Sequence, residues 1–114
     1  MRRGEIRLVD LDPVRGAEAN KQRPAVIVSN DGANLTAERL NRGVVTVVPV
    51  SSSTDKVYPF QVLLSAQSGL AVVSKAQAEQ VWSISTQRLL HRMGRISPAE
   101  LAHLDDALRL HLEL

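Results

Sequence analysis

The sequence predicts an α+β fold, mainly β, in which a small barrel carries helices on its outside. Three observations carry this. Five or more short strand-like runs are separated by turn-forming residues, two segments have helical start and stop signals, and no repeat, low-complexity tract or linker interrupts the 114 residues. That length is near the commonest size of one domain and 44% of the residues are apolar, so residues 1–114 are expected to form a single domain.

Each element follows from its residues. Glu5 to Leu11 sets Ile6, Leu8, Val9 and Leu11 among Arg7 and Asp10, an imperfect alternation that reads as a first strand ended by Pro13 and Gly16. Val14 to Arg23 is polar and aperiodic, a loop between strands, and such loops carry function in small domains. Pro24 to Ser29 is a buried strand whose first residue is a proline, where the missing N–H is tolerated. Asn30 or Asp31 can cap a helix over Ala33 to Leu40, with Asn41-Arg42-Gly43 as its stop. Val44 to Val50 is the clearest strand, and Pro49 predicts that its ladder stops or reaches an edge there. Ser51 to Asp55 then forms a hydroxyl-rich loop.

Pro59 to Leu64 is expected to pair with Leu70 to Val73 across a Gln67-Ser68-Gly69 turn, with Ala76 to Ile84 continuing as strand or irregular structure. Ser85 to Leu90 reads as one helical turn and Met93 to Ile96 as a closing strand. Ser97-Pro98-Ala99-Glu100 is a capping box with proline at the first helical position, which makes the terminal helix the best-specified element. Its Leu101, Leu104, Leu108 and Leu112 recur at three- and four-residue spacing, opposite Glu100, Asp106 and Glu113, so one side packs on the sheet.

Composition excludes several classes of function. There are no cysteines, which removes disulfides, thiolate metal sites and cysteine nucleophiles and fits a cytoplasmic address. The N-terminus is basic but lacks the apolar run and cleavage site of a signal peptide, and no apolar stretch approaches the roughly 18 to 20 residues needed to cross a bilayer. His103 and His111 lie eight apart in the last helix, but no carboxylate cluster or strand histidine completes a metal site with them or with His91. Phosphate-binding glycine loops and serine-hydrolase motifs are absent. A net charge of +2 does not demand a polyanionic partner, although eleven arginines against three lysines suit bidentate phosphate contacts.

What remains is a set of polar residues at strand ends: Glu18, Lys21 and Arg23, then Ser51 and Ser52, then Glu79 and Gln80, which could converge at one barrel rim. A carboxylate, an arginine and a hydroxyl together could serve metal-free RNA cleavage, which needs help for 2′-hydroxyl attack, a proton for the departing 5′-oxygen and neutralisation of the phosphate. Spacing alone favours the plainer reading of Glu18 and Lys21 as a solvated loop, Arg23 as a surface ion-pair partner and Ser51 as a turn former. Trp82 and His91 read as packed or surface residues.

A resemblance to a known family goes further. Arg3-Gly4-Glu5-Ile6 through Val9-Asp10-Leu11-Asp12-Pro13, then Gly16-Ala17-Glu18 and Gln22 to Asn30, resembles the N-terminal signature of the MazF/PemK toxins in order and spacing. Val47 to Ser52 resembles their third-strand motif ending in a catalytic threonine, Tyr58 to Val62 the next strand, and Ala78-Glu79-Gln80-Val81 with Ser83-Ile84 a later one. The resemblance covers nearly the whole chain. It implies a small SH3-like barrel of the MazF/CcdB plasmid-maintenance-toxin type with a C-terminal helix, and a sequence-specific, metal- and cofactor-independent endoribonuclease leaving 2′,3′-cyclic phosphate and 5′-hydroxyl ends.

The same resemblance assigns Arg23 and Ser51 to catalysis, and Glu18, Lys21, Ser52 and Gln80 to RNA binding. It implies a homodimer and a cognate MazE-like antitoxin whose acidic tail covers a groove lined by Arg15, Lys21, Arg23 and Lys56. Two positions depart from the pattern. Ser51 keeps a hydroxyl but lacks the threonine methyl that restricts its rotamer, and Arg7 stands where members often carry an aromatic residue. Two rival readings are a gyrase poison of the same fold, because a barrel does not fix function, and a non-catalytic RNA-binding module. The ending Leu112-Glu113-Leu114 lacks the aromatic terminus that gyrase poisons of this fold look to use.

Overall fold

The computed structural model describes residues 1–10 and 22–114. Seven strands and two helices follow in the order β1 (Glu5–Asp10), β2 (Gln22–Ile27), α1 (Asp31–Leu40), β3 (Val44–Ser51), β4 (Gln61–Leu64), β5 (Ser74–Gln77), β6 (Trp82–Ser85), β7 (Leu89–Arg95) and α2 (Pro98–Leu112). The strands form one antiparallel, barrel-like sheet, ordered β4-β5-β3-β2-β1-β7, with β6 on β3. The α+β, mainly β expectation therefore stands.

The two strongest apolar runs lie in the middle of the sheet and are buried on both faces, which is why they read as continuous rather than alternating hydrophobic segments. Val26 from β2 and Val48 and Val50 from β3 join a core beneath α2 with Ile6, Leu64, Leu104 and Leu108. Ala25, Ile27, Val45 and Val47 point the other way, into a second core with Val9, Ala37 and Ile84. Helix α1 is anchored by the buried Asn34, whose side chain donates to the Ser29 carbonyl at 2.9 Å and accepts from the Ser29 hydroxyl at 2.5 Å. Of its two candidate caps, Asn30 takes the role, accepting from the Ala33 N–H at 2.8 Å, and Asn41 ends the helix at φ 51°.

Helix α2 begins with the expected capping box: the Ser97 hydroxyl accepts from Glu100 N at 3.1 Å and the Glu100 carboxylate from Ser97 N at 2.8 Å. The second Glu100 oxygen accepts from Ser65 N at 2.7 Å, tying the helix start to the turn after β4. Replacing Ser97 with alanine should lower stability by about 1 kcal/mol, measured by urea denaturation, and Glu100→Ala should cost more because it also releases Ser65.

Three sequence expectations are corrected. The partner of β4 is Ser74–Gln77, not Leu70–Val73, with Leu63 opposite Lys75. Leu70 is instead buried in the α2-side core, while Val72 and Val73 are exposed. The closing strand runs over Leu89–Arg95 rather than beginning at Met93, and bulges where it meets β1. Leu112 does not complete the buried stripe of α2; the buried positions are Leu104, Ala107 and Leu108. Pro49 behaves as expected: the β2–β3 ladder stops at it, although β3 itself runs on to Ser51. One edge of β3 pairs with β6 at Val44 to Val47 and with β5 at Val50 and Ser51, so Pro49 falls in the gap between partners, where a missing N–H costs least. Leu11, the expected last residue of the first strand, lies outside the described residues.

No ladder joins the edge strands β4 and β7. The gap is bridged by backbone packing: the single 3-10 turn Ala66–Ser68, closed by Gly69 at φ 108°, lies against Met93 and Gly94 of β7. The expected helical turn before β7 is a single 3-10 turn, Thr86–Arg88.

Candidate functional site

Arg23 was expected in a loop and Ser51 after a strand; both lie within strands, which fixes their relation. Arg23 on β2 pairs with Val9 on β1, and Ala25 pairs with Pro49 on β3. That ladder ends at Ala25 and Pro49, and only by continuing its register two residues further would Arg23 fall opposite Ser51. Ser51 in turn pairs with Lys75 on β5, which pairs with Leu63 on β4. The pairs Val9–Arg23 and Ser51–Lys75–Leu63 make, on that continuation, one transverse row of the sheet, and residues of one row share a face. It is the face away from α2, since neighbours one residue along, Val50 and Ala76, belong to the α2-side core.

The side chains in this row differ in what they hold. Arg23 is half-buried and, among the described residues, has no hydrogen bond or ion pair. Arg7, on the same face one row away, has its guanidinium taken up by Glu5 at 2.8 Å and the Leu90 carbonyl at 3.0 Å. The Ser51 hydroxyl oxygen accepts from Ser53 N at 3.1 Å, which orients it and leaves its own proton to donate. Lys75 is only 8% exposed and its ammonium donates to the Lys56 carbonyl at 2.7 Å.

The turn Ala78–Gln80 links β5 to β6 and so lies beside Val48 and Pro49, in the gap between the two partners of β3. Gln80, the last residue of this turn, is exposed. Next to it, Glu79 accepts from Gln61 Nε2 at 2.7 Å while its second oxygen is buried without a partner, as is Gln77 Oε1. Ser52 follows Ser51 and is exposed. Glu18 and Lys21 lie outside the described residues. Trp82 is 40% exposed and pairs with Val47, and His91, His103 and His111 are all exposed. Among the described residues no three histidines or carboxylates stand close enough to hold a metal ion. The sequence reading missed Lys75; its only signal is a lone lysine inside the otherwise uncharged stretch Gln67 to Ala78.

A guanidinium without a partner facing an oriented hydroxyl makes a site for a tetrahedral oxyanion, with charge from one side and a hydrogen bond from the other. The fold and this arrangement define a small barrel-like domain with a candidate oxyanion site, and comparison with known proteins gives its family. The family model described as PemK-like, MazF-like toxin of type II toxin-antitoxin system matches residues 2–112, and the chain belongs to that family. It is 70% identical over 115 residues to endoribonuclease MazF9 of Mycobacterium tuberculosis, covering all of this chain and 98% of that protein. It is 31% identical to a probable endoribonuclease MazF of Mycolicibacterium smegmatis, covering 98% and 96%. Among solved structures, MazF of Deinococcus radiodurans superposes with a TM-score of 0.79 at 23% identity, covering 100% and 97%. A mycobacterial endoribonuclease in complex with its cognate antitoxin gives 0.79 at 20% identity, covering 100% and 96%. These two likenesses support the fold.

Proposed function

We propose that the chain, acting as one domain over residues 1–114, is a sequence-specific, metal-independent endoribonuclease toxin with Arg23 and Ser51 as its catalytic pair. The observation that carries this reading is their placement on one face at the adjoining ends of β2 and β3, one with an unpartnered guanidinium and the other with an oriented hydroxyl. The relatives named above are called endoribonucleases, and the gyrase reading gains no support from them.

In this mechanism the scissile phosphate sits between β2 and β3. The ribose 2′-oxygen attacks phosphorus, the bond to the 5′-oxygen breaks, and the products are a 2′,3′-cyclic phosphate and a 5′-hydroxyl. The Arg23 guanidinium neutralises the charge that builds on the non-bridging oxygens and gives a proton to the departing 5′-oxygen, recovering one from the attacking 2′-hydroxyl, so that no net proton is lost. The Ser51 hydroxyl donates to a non-bridging oxygen while the Ser53 N–H keeps it aimed. Gln80, Ser52, Glu18 and Lys21 hold the flanking RNA. No step calls on a metal or cofactor. The working unit is a cytoplasmic homodimer inhibited by a MazE-like antitoxin, whose acidic segment suits the same cationic face. Among the described residues no helix is long and apolar enough to cross a membrane.

The test is incubation of purified protein with mixed-sequence RNA in excess EDTA, mapping cut sites and end groups. Cleavage at one short recurrent sequence with cyclic phosphate ends is the expected result. Loss of cleavage in EDTA sinks the metal-free mechanism, and intact RNA throughout moves the reading to gyrase poisoning or a non-catalytic RNA binder.

A further inference from the structure

Lys75 stands one strand beyond Ser51 in the row that carries Arg23, paired in register with Ser51 itself. It is a cation only 8% exposed, and none of the described carboxylates lies within ion-pair distance of it. Its ammonium makes one hydrogen bond, to the Lys56 carbonyl at 2.7 Å, and an ammonium has three donors. A buried charge held by a single neutral acceptor is costly to keep, and the cost is offset when an anion arrives with a ligand. The hydrogen bond to the Lys56 carbonyl and the low exposure hold the charge at a fixed place rather than leaving it to a mobile side chain.

We propose that Lys75 is a phosphate-binding residue of this site, its ammonium donating to the RNA phosphate next to the one held between Arg23 and Ser51. This rests on the endoribonuclease reading. The bond to Lys56 keeps the segment between β3 and β4 in place above Ser51 while the remaining N–H donors meet the phosphate. The RNA backbone then crosses the strands along the row, from β2 over β3 to β5. Because the contact is to a neighbouring phosphate and not to the reacting one, it acts on binding more than on the chemical step.

The experiment compares the parent protein with Lys75→Gln, Lys75→Arg and Lys75→Met on one cleavable RNA oligonucleotide. It also measures binding of the same oligonucleotide, with a 2′-deoxy sugar at the cut, as a function of salt. Losing one phosphate contact should reduce the slope of log affinity against log salt by about 0.7 for a single strand. Lys75→Gln should raise KM about tenfold or more with kcat changed far less, and Lys75→Arg should keep both the slope and most of the affinity. A role confined to holding the Lys56 segment would lower the unfolding midpoint of Lys75→Met and leave the salt slope of every variant at the parent value, which overturns the proposal. If the parent protein cuts no RNA, both the endoribonuclease reading and this inference fall. If the parent cuts and Lys75→Gln matches it in KM and slope, only the inference falls.

Discussion

Arg23→Ala is expected to cut RNA about two to three orders of magnitude more slowly than the parent chain, the loss typical of removing one preorganised charge donor from a phosphoryl or acyl transition state. The loss should appear in kcat measured at saturating RNA, because the guanidinium acts on charge that develops during the reaction. Folding should be nearly untouched. Among the described residues Arg23 makes no hydrogen bond or ion pair that its removal would orphan. Its neighbours in the strand, Ala25 and Ile27, carry the packing. Single-turnover cleavage beside a thermal melt checks both halves. Cleavage by Arg23→Ala within threefold of the parent, at an unchanged melting midpoint, would remove Arg23 from the mechanism and leave the Arg23–Ser51 row without a catalytic role.

The second large effect is on stability. Gly94→Ala should destabilise the fold by about 3 kcal/mol, at the upper end of what overpacking costs. A Cβ there would stand 1.8 Å from the Ser68 carbonyl oxygen, 2.8 Å from its carbon and 3.0 Å from Gly69 Cα. All three are backbone atoms, so no rotamer change relieves the clash and the turn must lift away from β7. The reciprocal position behaves alike: a Cβ on Gly69 would meet the Met93 carbonyl oxygen at 2.2 Å, and Gly69 also needs φ 108°. These two glycines are how a sheet without a β4–β7 ladder closes most of its circumference. The measurement is a urea unfolding curve at constant m-value. A Gly94→Ala protein with the parent midpoint would mean that the turn does not rest on β7 in solution.

The elements that could be read from the sequence share a physical property: their signal is local. Helix α2 has a cap, a reciprocal Glu100 and a proline within four residues, and α1 has Asn30 and Asn41 at its ends. Strands β2 and β3 are buried on both faces, so their residues are apolar regardless of register. Strand β5 gives no such signal. Ser74–Gln77 is polar and short, and it is a strand because β3 and β4 lie on either side of it. The neighbouring Leu70 to Val73 looks more like a strand but is not one, since Leu70 is needed in the core and the sheet edge is already occupied. Leu112 continues the spacing of its helix past the end of the surface that α2 covers.

The candidate site divides the same way. Arg23, Ser51, Ser52 and Gln80 could be named from motif resemblance, and the class of chemistry from their functional groups. That Arg23 and Ser51 come to adjoining strand ends on one face, and that Lys75 pairs with Ser51, depends on pairing between segments more than 20 positions apart along the chain. Taken alone, the sequence determined the fold class, the two helices with their caps, the doubly buried strands and the toxin family. The tertiary structure decided which polar residues face one another, which strand completes the sheet and how its edges meet. Helix caps and buried runs are set by residues a few positions apart, whereas strand register and barrel closure are set by contacts between distant segments.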